Sequence, residues 1–119
     1  MPVKRVPVTT GASYSKAVAA SGPGTTVYVS GMIAPGGTMA EQTNRCFDQI
    51  EESLRAVGGS LEHVVRIAAW LTSLDQYAEY GRVRGERFGG NLPASAAVRV
   101  AGLLQGTEIE IDAVAFIPT

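Results

Sequence analysis

Asn91-Leu92-Pro93-Ala94-Ser95-Ala96-Ala97-Val98-Arg99-Val100-Ala101, with Thr107-Glu108-Ile109-Glu110-Ile111-Asp112-Ala113-Val114-Ala115 close behind, is the stretch that decides how this chain folds. Pro93 sets an extended entry, and two alternating runs follow, the pattern of paired, half-buried strands. In the second run Ile109 and Ile111 share one face, while Glu108, Glu110 and Asp112 share the other. Three acids on one strand face must meet solvent, a cleft or a partner subunit. In the first run Ser95, Ala97 and Arg99 share a face, and the alternation predicts that Ala96, Val98 and Val100 pack on helices.

Upstream, Thr25-Thr26-Val27-Tyr28-Val29-Ser30-Gly31 is β-branched and aromatic and predicts a strand that ends at Pro35-Gly36-Gly37. Thr38 with Glu41 three residues later has the form of a capping box. From Met39 to Val57 the residues Met39, Thr43, Cys46, Phe47, Ile50, Leu54 and Val57 recur at three- and four-residue steps. That spacing predicts an amphipathic helix of about five turns, closed by Gly58-Gly59. Val64 to Thr72 reads as a mostly buried strand. Asp75 is placed to cap a second helix to about Phe88, with Tyr77, Tyr80, Val83 (or Arg84) and Phe88 along one side. Residues 1–10 read as extended, Tyr14 to Ala19 as a short apolar segment, and Ser21-Gly22-Pro23-Gly24 as a turn.

The order is β-β-α-β-α-β-β, an α+β pattern with a mixed sheet and two helices on one face. Two helices cannot cover both faces. The other face would carry Val, Tyr and Trp side chains, more apolar surface than a monomer leaves wet, so the bare faces are expected to pack together in an oligomer.

The 119 residues fit a single domain spanning 1–119, without repeats or linkers. Ten basic and eleven acidic residues give a net charge of −1, and no basic stretch is long enough to follow a phosphate backbone, so nucleic acid is not expected as a partner. The apolar runs are too short for a membrane span and no signal-type region follows Arg5, so the expected location is the cytoplasm. One cysteine, Cys46, and one histidine, His63, exclude an internal disulfide and leave no donor set for a transition metal. Cys46 falls on the apolar side of the long helix and reads as core, and His63, beside Glu62, reads as a surface residue.

An ordered set of motifs runs nearly the length of the chain. It comprises Tyr14-Ser15-Lys16-Ala17-Val18, Val29-Ser30-Gly31, Glu41-Gln42-Thr43, Val64-Val65-Arg66, Pro93-Ala94 and Ile109-Glu110-Ile111-Asp112-Ala113-Val114-Ala115. In this set the chain resembles the RidA/YjgF (Rid) family of enamine and imine deaminases, also called L-PSP endoribonucleases. The resemblance implies a chorismate-mutase-like fold and a homotrimer with small-molecule clefts between subunits. It implies a cofactor-independent hydrolase in which a glutamate of the last strand, here Glu110, directs water at the imine carbon. Tyr14 and Ser30 would line the cleft. In deaminating members an arginine directly follows the Pro-Ala pair and grips the substrate carboxylate in bidentate fashion. Here that position is Ser95. Met32 stands where the family often has Gln, and Gly81 where it often has Asn.

Each candidate carries two readings. Glu110 is either a solvated strand residue or the water-directing carboxylate of a cleft that a trimer would cover. Tyr14 is a cleft phenol or an interface aromatic. Ser95 is a hydrogen-bond donor to a ligand or a plain strand residue, and no base beside it supports a nucleophile. Arg99 could supply a relocated cation to the cleft. Four strand residues displace a Cα by roughly 13 Å, and an arginine recovers about half of that. Alternatively Arg99 pairs with Glu108, Glu110 or Asp112. The function expected is hydrolysis of an enamine or imine with a specialised substrate. The alternative is a non-catalytic metabolite-binding or sensor protein, and a ribonuclease comes third.

Overall fold

β-Branched and aromatic alternation yields strands, three-to-four-residue periodicity yields helices, and the glycine and proline clusters join them. The computed structural model describes residues 2–8 and 11–119. The strands are β1 (Val3–Pro7), β2 (Ser15–Ala20), β3 (Gly24–Ile33), β4 (Val64–Leu71), β5 (Ala94–Arg99) and β6 (Ile109–Pro118). The helices are α1 (Met39–Arg55) and α2 (Tyr77–Phe88). Of the extended stretch expected over residues 1–10, Met1, Thr9 and Thr10 lie outside the described residues.

The α+β class, the mixed sheet and the two helices on one face are as expected. The sheet is one strand larger, because the short apolar segment after Tyr14 pairs antiparallel with β1 as β2. The strand order is β1-β2-β5-β4-β6-β3. β4 and β5 are parallel neighbours, as a β-α-β crossover through α2 requires, and β6 enters antiparallel between β4 and β3.

α1 begins as its sequence dictates. Thr38 Oγ1 accepts from Glu41 N at 3.1 Å, and Glu41 Oε1 accepts from Thr38 N at 2.9 Å, closing the capping box. The helix stops at Arg55, and Gly58, at φ 86°, turns the chain where an L side chain would be strained. α2 differs slightly from expectation. A short 3-10 turn at Leu74–Gln76 precedes it, and Ser73 rather than Asp75 supplies the capping oxygen.

The core lies between the helices and one sheet face. Phe47, Ile50 and Leu54 of α1 and Tyr80 and Val83 of α2 are buried with Ile67, Leu71, Ile109 and Ile111 of the central strands. Phe47 and Phe88 meet edge to face at 5.1 Å between centroids, which locks the helices together.

The strand register sets which side chains share this covered face. Ile67 aligns with Ser95 and Ala69 with Ala97, so Ser95, Ala97 and Arg99 point to the helix side. Ala96 and Val98 lie on the bare face, the reverse of the sequence expectation. The reason is that both faces of β5 are apolar or small, so alternation alone cannot say which of them meets the helices. The bare face carries Arg66, Trp70, Val98, Tyr28, Glu110 and Asp112. Its large apolar members are open to solvent in the single chain, Tyr28 at 79%, Val98 at 44% and Trp70 at 36%.

Candidate functional site

Two groups of polar residues stand out, one on each side of the sheet. The first is built on α2. Tyr77, Tyr80 and Arg84 recur at three- and four-residue steps, so all three project from one side of the helix. Arg84 is only 3% exposed. Its Nε and Nη2 both donate to Ser13 Oγ, at 3.1 and 2.8 Å, while Nη2 also reaches the Tyr77 hydroxyl at 3.3 Å. Nη1 donates to Ser95 Oγ at 3.1 Å and to the Tyr80 hydroxyl at 3.5 Å. The guanidinium carbon sits 4.9, 5.2 and 5.8 Å from the ring centroids of Tyr80, Tyr14 and Tyr77.

Every partner of this buried cation is neutral. Burial pushes the Tyr80 phenol above its ordinary range, although the neighbouring Arg84 charge opposes that shift, so Tyr80 remains a neutral hydroxyl. Buried charges are ordinarily matched by an opposite charge. Among the described residues no carboxylate takes that part.

Two glycines border the cluster. A Cβ at Gly85 would lie 3.1 Å from the Ser13 Cβ, so glycine there lets Ser13 come up against the helix. A Cβ at Gly81 would stand in ordinary contact, 3.6 Å from both Arg84 Nη2 and Ser13 Oγ. Beside Gly81 a hollow of about 320 Å³ opens between α2 and residues 11–14, with Ser13, Tyr14, Tyr77 and Arg84 on its wall.

The second group lies on the bare face. Of the three acids of the last strand region, two have partners. Glu108, just before β6, departs from the face it was expected to share and turns to the helix side, where it accepts from Gln42 Nε2 of α1 at 2.9 Å. Asp112, on the bare face, accepts from Trp70 Nε1 at 3.2 Å. Glu110 has no hydrogen-bond or ion-pair partner among the described residues, and it is half-buried. Its carboxylate lies across Gly31, where any Cβ would collide with it. That glycine sits in a register shift of β3 between Val29 and Met32, which also holds the exposed Ser30 beside the β6 strand.

The structure thus brings Tyr14 and Ser95 together around Arg84, and sets Glu110 and Ser30 near one another on the opposite face. Within one chain the two groups do not meet. Arg99 joins neither: it is exposed at the end of β5, on the face away from Glu110, with no hydrogen bond or ion pair among the described residues. Cys46 is fully buried, its Sγ 3.3 Å from the Met32 carbonyl, and burial pushes its thiol up to about 12.

Sequence reasoning passed over Arg84, placing it only as an alternative to Val83 on the side of α2. The signal was there: an arginine seven residues after Tyr77 and four after Tyr80, in register with residues that turn inward.

Chemically, the first group can hold an anion or a polar ligand, and the second can accept a proton or orient a water. Residues 5–117 match the family described as Endoribonuclease L-PSP. The 2-iminobutanoate/2-iminopropanoate deaminase of Rattus norvegicus is 35% identical over 120 residues, 93% of this chain and 84% of its own. A member of the YjgF/YER057c/UK114 family from Mycobacterium tuberculosis is 30% identical and superposes with a TM-score of 0.76, covering 97% of this chain and 99% of its own. The Rid-family protein YyfB of Yersinia pestis reaches a TM-score of 0.82 at 26% identity, covering 97% and 98%. With the match spanning nearly all of the chain, the protein belongs to the L-PSP endoribonuclease family, the RidA/YjgF proteins.

Proposed function

We propose that the protein is a cytoplasmic homotrimer that hydrolyses an enamine or imine in clefts formed between copies. The observation that carries this reading is the state of the three acids. Glu108 and Asp112 are engaged, and Glu110 is left free over Gly31 beside an apolar face that needs a partner. The rat relative, a 2-iminobutanoate/2-iminopropanoate deaminase by name, supports the same chemistry.

The reaction needs no cofactor. An enamine takes a proton on carbon and becomes an iminium ion, whose carbon is electrophilic; an imine reaches the same ion by protonation at nitrogen. Glu110 accepts a proton from a water as its oxygen bonds to that carbon, giving a neutral tetrahedral carbinolamine. Glu110 returns that proton to nitrogen, and as the C–N bond breaks the hydroxyl proton passes back to the carboxylate, so that ammonia leaves with a ketone or keto acid remaining. Ser30 of the same face and Tyr14 of a neighbouring copy would flank the reacting carbon. Such a role for a positioned carboxylate is worth about 10²- to 10⁴-fold.

The test is to generate 2-iminopropanoate in the assay and follow its loss with and without protein. The wild type accelerates the loss. Glu110→Gln keeps its thermal stability and slows turnover by about 10²-fold or more. Ser95, at the position where the resemblance implies an arginine in deaminating members, favours a second reading, a metabolite-binding or sensor protein. Thermal stabilisation of the wild type by a ligand, with no turnover of any imine, is the outcome that selects it.

A further inference from the structure

The α2 cluster contains more positive charge than its own chain answers. Arg84 is buried, it is met only by the hydroxyls of Ser13, Tyr77, Tyr80 and Ser95, and a hollow opens beside it. We infer that Arg84 is the carboxylate-binding residue of this protein, delivering from helix α2 the guanidinium that position 95 of β5 lacks. The inference rests on the cleft of the proposed function, but not on its hydrolytic chemistry.

Three observations combine. Nη1 of Arg84 is 3.1 Å from Ser95 Oγ, so the cation occupies the space that a longer side chain at position 95 would enter. Serine fits there because it is short and accepts the bond. Second, the Nε/Nη2 edge, which a carboxylate takes in bidentate fashion, is closed by a single neutral oxygen, Ser13 Oγ. A carboxylate makes stronger, charge-assisted bonds to that edge than a hydroxyl does, and it takes the edge when a change of the Ser13 side-chain rotamer moves Oγ off it. Third, the hollow beside Gly81 adjoins the cation. Arg82, also on this rim, is exposed and paired with Glu86 at 2.9 Å, whereas Arg84 is the buried cation of the hollow.

The ligand is therefore a small organic acid whose carboxylate docks on Arg84, with the remainder in the hollow toward Tyr14 and Tyr77. A keto acid is the corresponding product of an imino acid, and 2-oxobutanoate is a stable probe. Its amide is the neutral control.

Titration calorimetry of the folded protein tests this. The wild type binds 2-oxobutanoate and prefers it to the amide. Arg84→Met weakens the acid tenfold or more and leaves the amide within about twofold. Arg84→Met removes the donor from the hydroxyls of Ser13, Ser95, Tyr77 and Tyr80 together with the charge, so its melting temperature is expected to fall. Affinities are compared below that temperature, with amide binding as the sign that the hollow is intact. The reciprocal pair sharpens the test. Ser95→Arg alone crowds two guanidinium groups and weakens acid binding, and Arg84→Ser with Ser95→Arg restores it.

Undiminished acid binding by Arg84→Met overturns the inference, as does loss of assembly with unchanged acid affinity, which would make Arg84 an interface cation. The two readings fail separately. If Glu110→Gln abolishes turnover while Arg84→Met binds normally, the hydrolase reading survives and the Arg84 assignment falls. If no imine is turned over but acid binding depends on Arg84, the reverse holds.

Discussion

The two faces of the sheet hold opposite kinds of polar group in opposite settings. On the covered face a cation is sealed in by hydroxyls and aromatic rings, with only 3% of Arg84 exposed. On the bare face a carboxylate, Glu110, lies half-exposed among aromatic and aliphatic side chains that a single chain leaves in water. A sheet separates them, and no side-chain rearrangement within one copy would join them. Under the proposed function each protomer would contribute two halves to different clefts, and an acid gripped by Arg84 would meet the Glu110 of a second copy.

The largest expected effect comes from breaking that arrangement. Val98 is 44% exposed on the bare face, so Val98→Asp should leave a folded protomer with only a modest strand-propensity cost, about 1 kcal/mol. In an assembly through that face the new carboxylate would be buried unpaired. The expected outcome is dissociation in sedimentation velocity and loss of imine turnover, although both half-sites stay intact. A Val98→Asp variant that remains associated and active would mean the bare face is not where copies meet. On the covered face the counterpart is Ile67→Ala, beneath the helices and fully buried. Denaturant unfolding should show a loss of about 2–5 kcal/mol from the lost burial and the cavity. Together the two variants separate a face that builds the fold from a face that builds the site.

Much of the covered face was legible in the sequence. The α1 stripe of Met39, Thr43, Cys46, Phe47, Ile50 and Leu54 is buried as its spacing requires and the Thr38–Glu41 capping box forms, whereas Val57, expected in the same stripe, lies past the helix end and is exposed. The Ile109/Ile111 side of β6 meets the core as the alternation demands. What alternation could not decide was the orientation of β5, because Ser95-Ala96-Ala97-Val98 offers no polarity contrast between its faces. That ambiguity displaced Arg99. It was read as sharing the acid face, and the register sets it on the other. β2 carries a weak strand signal because Ser15-Lys16-Ala17-Val18-Ala19-Ala20 has a single β-branched residue, and pairing with β1 is what makes it a strand. The role of Arg84 depends on Ser13 and Tyr14, some seventy residues away, which meet it only after β2 docks beside β5. No local pattern encodes that meeting. Position 95 was recognised as lacking an arginine, but not that another arginine stands against it.

The smallest effect probes the covered face by pH. Arg84 is tolerated there because hydroxyls and π-faces surround it, whereas the Cys46 environment gives an anion nothing comparable. Cys46 is fully buried, its thiol faces the Met32 carbonyl, and burial holds it near 12. An unfolded cysteine ionises near ~8.5. Above that pH the unfolded chain releases the thiol proton while the folded protein keeps it, so the unfolded state binds fewer protons and stability falls as pH rises. The window runs from the unfolded value up toward 12, and within it the slope from this one group is about 1.4 kcal/mol per pH unit. Below pH 8 the group contributes no pH dependence. Other residues titrate in the same range, so the measurement is a difference: urea unfolding of wild type and Cys46→Ala at pH 7.5 and pH 10. Alanine should cost a constant amount at pH 7.5 for the lost sulfur contacts, and that deficit should shrink by about 2 kcal/mol at pH 10. An unchanged deficit would mean that the Cys46 thiolate is accommodated on the covered face. The contrast between that face and the bare one would then rest on the arrangement of partners around Arg84 alone, and not on a general exclusion of charge.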